Sequence, residues 1–280
     1  MVVIGGGTAG LEAACTAAEV GCNTFLLEKG NELGGLASLI SKIPAKNRLA
    51  DFPHYLMHRA EQLDNLYIFK NTEGTPENIR KFHPNIIVSS TGSAPLLPPI
   101  AGLKDRIDNE NHNIYSILGM ISHINDFPKD LEGKKVVVVG GGAVGLDVVE
   151  FFADRNADIS IVEMMYQIGR DLDPVSKNDT KTMMKKHNVH QLTKTALLEV
   201  KDSSFLVRGD GEPYELPFEY GFVCLGMRAQ GQLYQNLTEE FSSEDVEILN
   251  IGDSQRARRI IDGTQEGRNI LTVLEQKGYL

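Results

Sequence analysis

The sequence predicts an α/β protein with two units of the same design, the second inserted into the first. Two stretches indicate this, VVIGGGTAGLEAA at residues 2–14 and VVVGGGAVGLDVV at residues 137–149. Their three glycines coincide when one stretch is shifted by 135 positions. The same shift moves Glu28 onto Glu163, and each of these acids ends a second apolar run. A strand, a glycine-rich turn, a helix and another strand are therefore predicted twice.

The first unit opens with a β-branched run, Val2–Ile4, which we expect to form a strand. Gly5, Gly7 and Gly10 follow it at the G-x-G-x-x-G spacing of a turn that binds a pyrophosphate. The first glycine permits the tight turn, the second lets the phosphates approach, and the third lets helix and strand pack closely. Free N–H groups at the positive end of the helix then face the phosphates, and Glu28 suits the hydroxyls of a ribose.

The second unit repeats these features with Gly140, Gly142, Gly145 and Glu163. One G-x-G-x-x-G alone is weak evidence, since 27 of the 280 residues are glycine. Two copies, each between β-branched runs and each followed after 18 residues by a strand-ending Glu, indicate two dinucleotide-binding domains of the Rossmann type. A 2′-phosphate beside Glu163 would meet like charge, and the next basic residue, Arg170, comes seven positions later. We therefore expect NADH rather than NADPH.

Two further apolar runs predict strands at which the chain crosses between domains. NIIVSSTGSAP, at residues 85–95, predicts a strand that ends at Thr91 and Gly92 and is followed by a proline-rich exit. YGFVCLGMRA, at residues 220–229, predicts a strand that ends at Gly226 and leads back. Each crossing thus follows the carboxyl end of a strand.

The segment between the crossings gives the domain boundaries. Residues 112–135 predict a linker and a surface helix. We assign residues 1–108 and 219–280 to a discontinuous first domain, and residues 109–218 to the domain inserted into it. Each domain then has one glycine-rich turn and one strand-ending acid.

The last landmark is VEILNIGDSQRARRIIDGTQEG, at residues 246–267. It predicts a strand ending at Gly252 and Asp253, a basic loop, and a helix that begins near Ile260. A carboxylate at the end of a strand suits a polyol chain, and a simple turn or helix-capping aspartate is the alternative. The positive end of the helix suits a ring that becomes negative when reduced.

Composition and charge argue against several other classes of protein. The chain is 41% hydrophobic and 24% charged, and its net charge of −10 opposes nucleic-acid binding. No stretch approaches the roughly 20 apolar residues of a membrane span, and Glu12 and Glu19 interrupt the apolar N-terminal run. Cys15, Cys22 and Cys224 form neither a CxxC pair nor a metal-ligand spacing. We expect no metal site, no disulfide and a reducing, cytoplasmic location.

These motifs together resemble the flavoprotein reductases in which an NAD domain is inserted into an FAD domain. The stretches at residues 148–175 and 252–267 are most similar to the C-terminal half of the 2-enoate reductase and 2,4-dienoyl-CoA reductase family, which is related to Old Yellow Enzyme and trimethylamine dehydrogenase. Members of that family carry an FMN-binding barrel and a four-cysteine 4Fe–4S motif ahead of the FAD half. Neither is in this sequence, so the resemblance implies an electron-input module of a larger reductase.

The resemblance also implies which residues form each site. The FAD site would consist of Gly5, Gly7, Thr8, Ala9 and Gly10 at the pyrophosphate, Glu28 and Lys29 at the adenosine, Gly34, Gly35, Thr91 and Gly92 along the cofactor, Gly252 and Asp253 at the ribityl chain, and Ile261 and Asp262 near the ring. The NADH site would consist of Gly140, Gly142, Ala143, Val144, Gly145, Glu163 and Gly226.

We expect an enzyme in which FAD accepts hydride from NADH and electrons pass on to FMN, which reduces an activated C=C bond. Hydride transfer needs closeness and alignment more than an acid or base, so no residue is assigned as catalytic, and His83, His187 and His190 are expected at the surface or at helix ends. Two alternatives stay open, a free-standing NADH:acceptor reductase and a non-catalytic nucleotide-binding scaffold. The absence of a CxxC pair argues against a free-standing reductase of the thioredoxin-reductase type. The intact second glycine-rich turn argues against a non-catalytic scaffold.

Overall fold

The computed structural model describes all 280 residues, Met1–Leu280. Its strands are, in chain order, β1 (Val2–Ile4), β2 (Thr24–Leu27), β3 (Leu66–Phe69), β4 (Ile86–Ser89), β5 (Ser93–Pro95), β6 (Ile114–Tyr115), β7 (Lys135–Val139), β8 (Asp158–Val162), β9 (His190–Leu192), β10 (Ala196–Val200), β11 (Ser204–Arg208), β12 (Tyr214–Pro217), β13 (Tyr220–Val223), β14 (Met227–Ala229) and β15 (Glu247–Asn250).

The α-helices are α1 (Thr8–Glu19), α2 (Gly35–Ile40), α3 (Asp51–Glu61), α4 (Pro76–Arg80), α5 (Leu103–Arg106), α6 (Ile117–Ser122), α7 (Ala143–Ala153), α8 (Pro174–Lys186), α9 (Gln232–Glu240), α10 (Ile260–Arg268) and α11 (Ile270–Gln276). Two 3₁₀ helices cover Pro44–Ala50 and Gly252–Ser254. None of the helices has the length and apolar character that a membrane crossing requires.

The chain forms two compact units, and the second interrupts the first. The first unit comprises Met1–Lys42, Lys46–Ala94 and Arg228–Leu280, and the second comprises Ile43–Ala45 and Pro95–Met227. The predicted α/β class with one parallel-sheet unit inserted into another is confirmed.

Apart from the short segment Ile43–Ala45, the chain changes unit at the two predicted crossings, whereas the predicted boundaries at 108/109 and 218/219 lie inside the second unit. Leu103 and Ile107 explain the difference at 108/109, because both are buried in the core of the second unit with residues of β7 and β11. The stretch after the proline-rich exit therefore belongs to the inserted unit rather than to the first. The difference at 218/219 arises because β13 pairs with β7 of the second unit.

The first unit is built on a five-stranded parallel sheet in the order β15-β4-β1-β2-β3. Strand β1 lies in the middle, with Val3 paired to Leu26 of β2 and to Val88 of β4. Its apolar residues are buried on both faces of the sheet, so β1 needs no alternation of polar and apolar positions. This register brings the carboxyl ends of β1, β2, β4 and β15 to one edge.

An ion-pair cluster joins the helices on one face of this sheet. Arg59 of α3 contacts the Glu12 carboxylate on α1 at 2.9 Å and also pairs with Glu19. The Glu12 and Arg59 side chains are only 6% and 11% exposed. The cluster therefore holds α1, the helix that follows the first glycine-rich turn, against α3.

The second unit repeats this design with a parallel sheet in the order β6-β13-β7-β8-β9 and adds an antiparallel sheet, β10-β11-β12. The expectation of a linker and surface helix at residues 112–135 was wrong in part. Ile114 of β6 and Met120 of α6 have no exposed surface, because β6 forms the edge strand beside β13 and α6 covers it. The short β6 run, only two residues long, gives too little periodicity to be recognised from sequence.

Candidate functional site

The first glycine-rich turn joins β1 to α1 and the second joins β7 to α7, and the fold requires the first and third glycines of each G-x-G-x-x-G motif. Gly5 has a φ of +104° and Gly140 a φ of +110°, a region that favours glycine. A Cβ on Gly5 would overlap the Ser90 carbonyl, and one on Gly10 would overlap the Gly5 carbonyl. The second turn has the same restriction, since a Cβ on Gly145 would overlap the Gly140 carbonyl.

The second glycine of each G-x-G-x-x-G motif, Gly7 or Gly142, is free of this restriction. Gly7 is the N-cap of α1 with φ −73° and ψ −177°, and Gly142 is the N-cap of α7 with φ −81° and ψ −178°. Any residue adopts this extended conformation, and a Cβ at either position would have no atom within 4 Å. No side chain caps either helix, and neither first turn contains an acid. The N–H groups of both helix ends are therefore open to an anion.

The two strand-ending acids turn back onto these turns in the same way. Glu28 accepts hydrogen bonds from the N–H groups of Gly6 and Gly30, both at 2.7 Å. Glu163 accepts from Gly141 and Met165, also at 2.7 Å. Each bond occupies one lone pair of one carboxylate oxygen, so each oxygen can still accept from a ribose hydroxyl.

The middle glycine of each turn, Gly6 or Gly141, was missed by the sequence analysis. A Cβ on Gly141 would lie 3.0 Å from the Glu163 Oε2 and 3.1 Å from Cγ1 of Ile168. A Cβ on Gly6 would lie 2.5 Å from Cδ2 of Leu33. The uninterrupted GGG in both copies is the pattern that could have revealed this close approach.

Gly34 and Gly35, predicted to line the first site, lie against the first turn. The Gly34 N–H donates to the Gly6 carbonyl at 2.7 Å, and its φ is +95°. Gly35 has a φ of +57°, and a Cβ there would lie 3.0 Å from Cα of Gly7. The backbone of α2 therefore begins directly beside the free N-cap glycine of α1.

The segment predicted to bind the polyol chain also meets the first turn. A Cβ on Gly252 would lie 2.8 Å from Cβ of Ala9, so Gly252 packs against the start of α1. The Asp253 carboxylate accepts from the Ser93 hydroxyl at 3.1 Å and from the Arg258 N–H at 3.0 Å. Asp253 is thus fixed at the carboxyl edge of the sheet by groups of its own unit.

The other residues predicted for the first site lie near these groups or at the surface. Thr91 donates its hydroxyl to the carbonyl of Gln230 at 2.8 Å, and Gly92 next to it has a φ of +73°. Helix α10 begins as predicted at Ile260, its Ile261 is 54% exposed, and Asp262 accepts from the Arg259 N–H. Thr8 is partly buried in the first turn of α1, and Lys29 is exposed beside Glu28.

In the second unit, Ala143 and Val144 begin α7 and are exposed and partly buried, respectively. Gly226 has a φ of +103° and follows Cys224, whose carbonyl a Cβ on Gly140 would overlap. Met164 and Tyr166, which follow Glu163, are 68% and 65% exposed. The second site is therefore bordered by large apolar side chains that the motif does not specify.

The titratable groups around the sites include two inert thiols. Burial raises the pKa of Cys15 to about 11 and that of Cys224 to about 12, so both stay protonated at neutral pH. His83 and His190 are exposed, and His187 caps the C-terminus of α8, which confirms their expected positions. No group of three or more His, Cys, Asp or Glu side chains in the chain could hold a metal ion.

Comparison with known proteins agrees with this fold. Residues 1–248 match the family model described as pyridine nucleotide-disulphide oxidoreductase. An NADH oxidase of Thermoanaerobacter brockii is 28% identical over 95% of this chain and 40% of its own length, and a cinnamate reductase of Clostridium sporogenes is 23% identical over 93% and 37%. The solved structure of a 2-naphthoyl-CoA reductase superposes with a TM-score of 0.80 at 23% identity, covering 96% of this chain and 39% of that one. The chain thus spans about two fifths of the length of these relatives.

Proposed function

Because the chain belongs to the pyridine nucleotide-disulphide oxidoreductase family, whose members bind FAD and NAD(P)H, we propose that it is an NADH:FAD oxidoreductase module. The first unit holds FAD, the second holds NADH, and electrons leave for a further acceptor. The matched relatives named as oxidoreductases support the reaction class, and so does the resemblance to enoate and dienoyl-CoA reductases.

The observation that supports two nucleotide sites best is the unrestricted glycine at each helix N-cap. The fold tolerates a side chain at Gly7 and at Gly142, yet both positions are glycine. A ligand whose phosphates must approach the backbone explains this choice in both units. The fit extends to the ribose, because Glu28 and Glu163 are held in place by two N–H groups each.

In the first site, the N–H groups after Gly7, with Thr8 and Ala9, hold the FAD pyrophosphate. Glu28 accepts from the adenosine ribose, and Lys29 lies beside it. Asp253 holds the ribityl hydroxyls, and its orientation is fixed by Ser93 and Arg258. The remaining members of the site are Gly5, Gly10, Gly34, Gly35, Thr91, Gly92, Gly252, Ile261 and Asp262.

In the second site, Gly142, Ala143 and Val144 hold the NADH pyrophosphate, and Gly140, Gly145 and Gly226 shape the backbone around it. Glu163 accepts from the adenosine ribose and repels a 2′-phosphate, so NADH is preferred over NADPH. Bound FAD supplies the ring that accepts hydride from NADH. The protein orients both nucleotides and needs no side-chain acid or base, so no residue is assigned as catalytic.

The module works with the remainder of a larger reductase in this proposal. The chain spans about two fifths of the relatives it matches, and the resemblance assigns an FMN-binding barrel and a 4Fe–4S cluster to the rest. The final substrate is then an activated C=C bond; one relative is named a cinnamate reductase, and cinnamate contains such a bond. The three cysteines are free, which is typical of proteins in a reducing compartment, and the cytoplasm is the location that we propose.

Anaerobic titration of the FAD-loaded protein with NADH tests the proposal. We expect NADH to bleach the flavin absorbance and NADPH to bleach it much less at the same concentration. Tight FAD binding without bleaching by either nucleotide would exclude the reductase and support the alternative, a non-catalytic nucleotide-binding scaffold. Failure to retain FAD would contradict the assignment of the first site.

A further inference from the structure

We propose that Arg170 binds the pyrophosphate of the nicotinamide dinucleotide in the second site. The inference rests on the proposed function and adds an anion-binding side chain to that site. It follows from a comparison of the two units, which share more than the glycine motif.

The repeat continues beyond the acids with the same offset of 135 positions. Gly169 is the counterpart of Gly34, and its N–H donates to the carbonyl of Gly141 at 2.7 Å, as Gly34 donates to Gly6. Both have positive φ, +64° and +95°. The segment after each acid therefore returns to its turn by the same hydrogen bond.

The preceding residue agrees with this alignment. Ile168 is the counterpart of Leu33, and each side chain lies over the middle glycine of its turn. Two successive positions thus make equivalent contacts in both units, and the next position can be compared directly.

That next position is Gly35 in the first unit and Arg170 in the second. Gly35 lies beside Gly7, since a Cβ on Gly35 would be 3.0 Å from Cα of Gly7. By the same alignment, we expect Arg170 to lie beside Gly142, the N-cap glycine at which an added Cβ would have no atom within 4 Å. Arg170 is seven residues from Glu163 in sequence. It nevertheless directly follows Gly169, whose N–H is hydrogen-bonded to Gly141 of the turn.

The guanidinium is available for a ligand. Its side chain is 51% exposed, and its partner in the chain is the neighbouring Asp171, with Nε 3.4 Å from Oδ1. Asp171 is 86% exposed, so this ion pair is weak. The two terminal NH₂ groups of Arg170 are left to donate, and their planar fork matches two oxygens of a phosphate.

The position of Arg170 favours contact with the pyrophosphate rather than with a 2′-phosphate. Gly142 is where the phosphates approach the backbone, whereas Glu163 marks the ribose. Arg170 aligns with the residue beside Gly7, at the phosphate end of the turn. It therefore supplies a positive charge in addition to that of the N-terminal end of α7.

Equilibrium binding of ADP-ribose, NADH and NADPH to the FAD-loaded protein tests the assignment, and ADP-ribose gives a readout without electron transfer. We expect Arg170→Ala to raise the dissociation constants of all three about tenfold, because each contains the pyrophosphate. Arg170→Lys should recover part of the affinity as a point charge. Arg208→Ala, an exposed arginine on β11, is the matched control and should bind as the wild type does.

The other outcomes overturn the inference in distinguishable ways. A loss confined to NADPH would mean that Arg170 contacts the 2′-phosphate instead. Unchanged affinities in a protein that binds NADH would exclude any phosphate contact and leave the proposed function intact. A wild-type protein that binds neither NADH nor ADP-ribose would overturn the proposed function together with the inference.

Discussion

Replacing Gly142 by alanine separates what the fold requires from what the cofactor requires. Gly142 has φ −81° and ψ −178°, and a Cβ there would have no atom within 4 Å. Alanine adopts this conformation without strain and restricts the unfolded chain. The weaker preference for alanine than for glycine at an N-cap offsets this gain, so the free energy of unfolding should change by less than about 1 kcal/mol in either direction.

Nucleotide binding should respond much more strongly than stability. The new methyl group occupies the space through which the pyrophosphate reaches the N–H groups at the start of α7. Loss of one hydrogen bond to a charged group costs about 1.5–3 kcal/mol. That free energy corresponds to a dissociation constant for NADH raised roughly 10- to 150-fold.

Urea denaturation and NADH titration of the same preparation measure the two effects. Gly140→Ala is the contrasting variant, because Gly140 has a φ of +110° and a Cβ there would overlap the Cys224 carbonyl. We expect it to lower the free energy of unfolding. If Gly142→Ala left the affinity for NADH unchanged, or lowered the stability as Gly140→Ala does, the argument from the unrestricted glycine would be refuted.

Three further predictions concern other parts of the molecule. Glu163→Ala should weaken NADH binding by about 1–3 kcal/mol in a fluorescence titration, and an unchanged dissociation constant would contradict its role at the ribose. Arg59→Ala should lower the free energy of unfolding by up to about 3 kcal/mol, because the Glu12 carboxylate, which is 6% exposed, then keeps only the Thr16 hydroxyl and Arg268, at 3.8 Å, as partners. Adding Glu12→Gln should restore part of this loss in urea denaturation, and no restoration would argue against charge burial as the cause. Cys22, which is partly exposed, should react with a thiol reagent in the native protein, whereas the two buried cysteines should react only after unfolding; equal rates would contradict their burial.

The sequence alone predicted the features that local spacing controls. The turns at Gly5 and Gly140 and the acids at Glu28 and Glu163 follow from short patterns that occur twice at one offset. The start of α10 at Ile260 was also predictable, because a strand end and a basic loop precede it. Repetition made these predictions possible, since a chance pattern has no reason to recur with the same context.

Features that depend on contacts distant in sequence could not be predicted in this way. The burial of Leu103 and Ile107 in the second unit depends on β7 and β11, and the two-residue strand β6 exists only because β13 lies beside it. The return of Gly169 to Gly141 is set by one hydrogen bond across 28 positions of chain. No local pattern encodes such a bond, although the counterpart at Gly34 reveals it once the structure is known.

The hydrogen bonds of the acids change how their role should be understood. Glu28 and Glu163 each bind the middle glycine of their own turn at 2.7 Å, and each also binds an N–H two residues further along the chain. These four bonds exist within the protein itself, so each carboxylate is oriented before a ribose arrives. Orientation in advance reduces the entropy lost on binding. It also explains why the acid and the glycines recur as one set, since the middle glycine lets the carboxylate reach the turn and the carboxylate holds the turn in place.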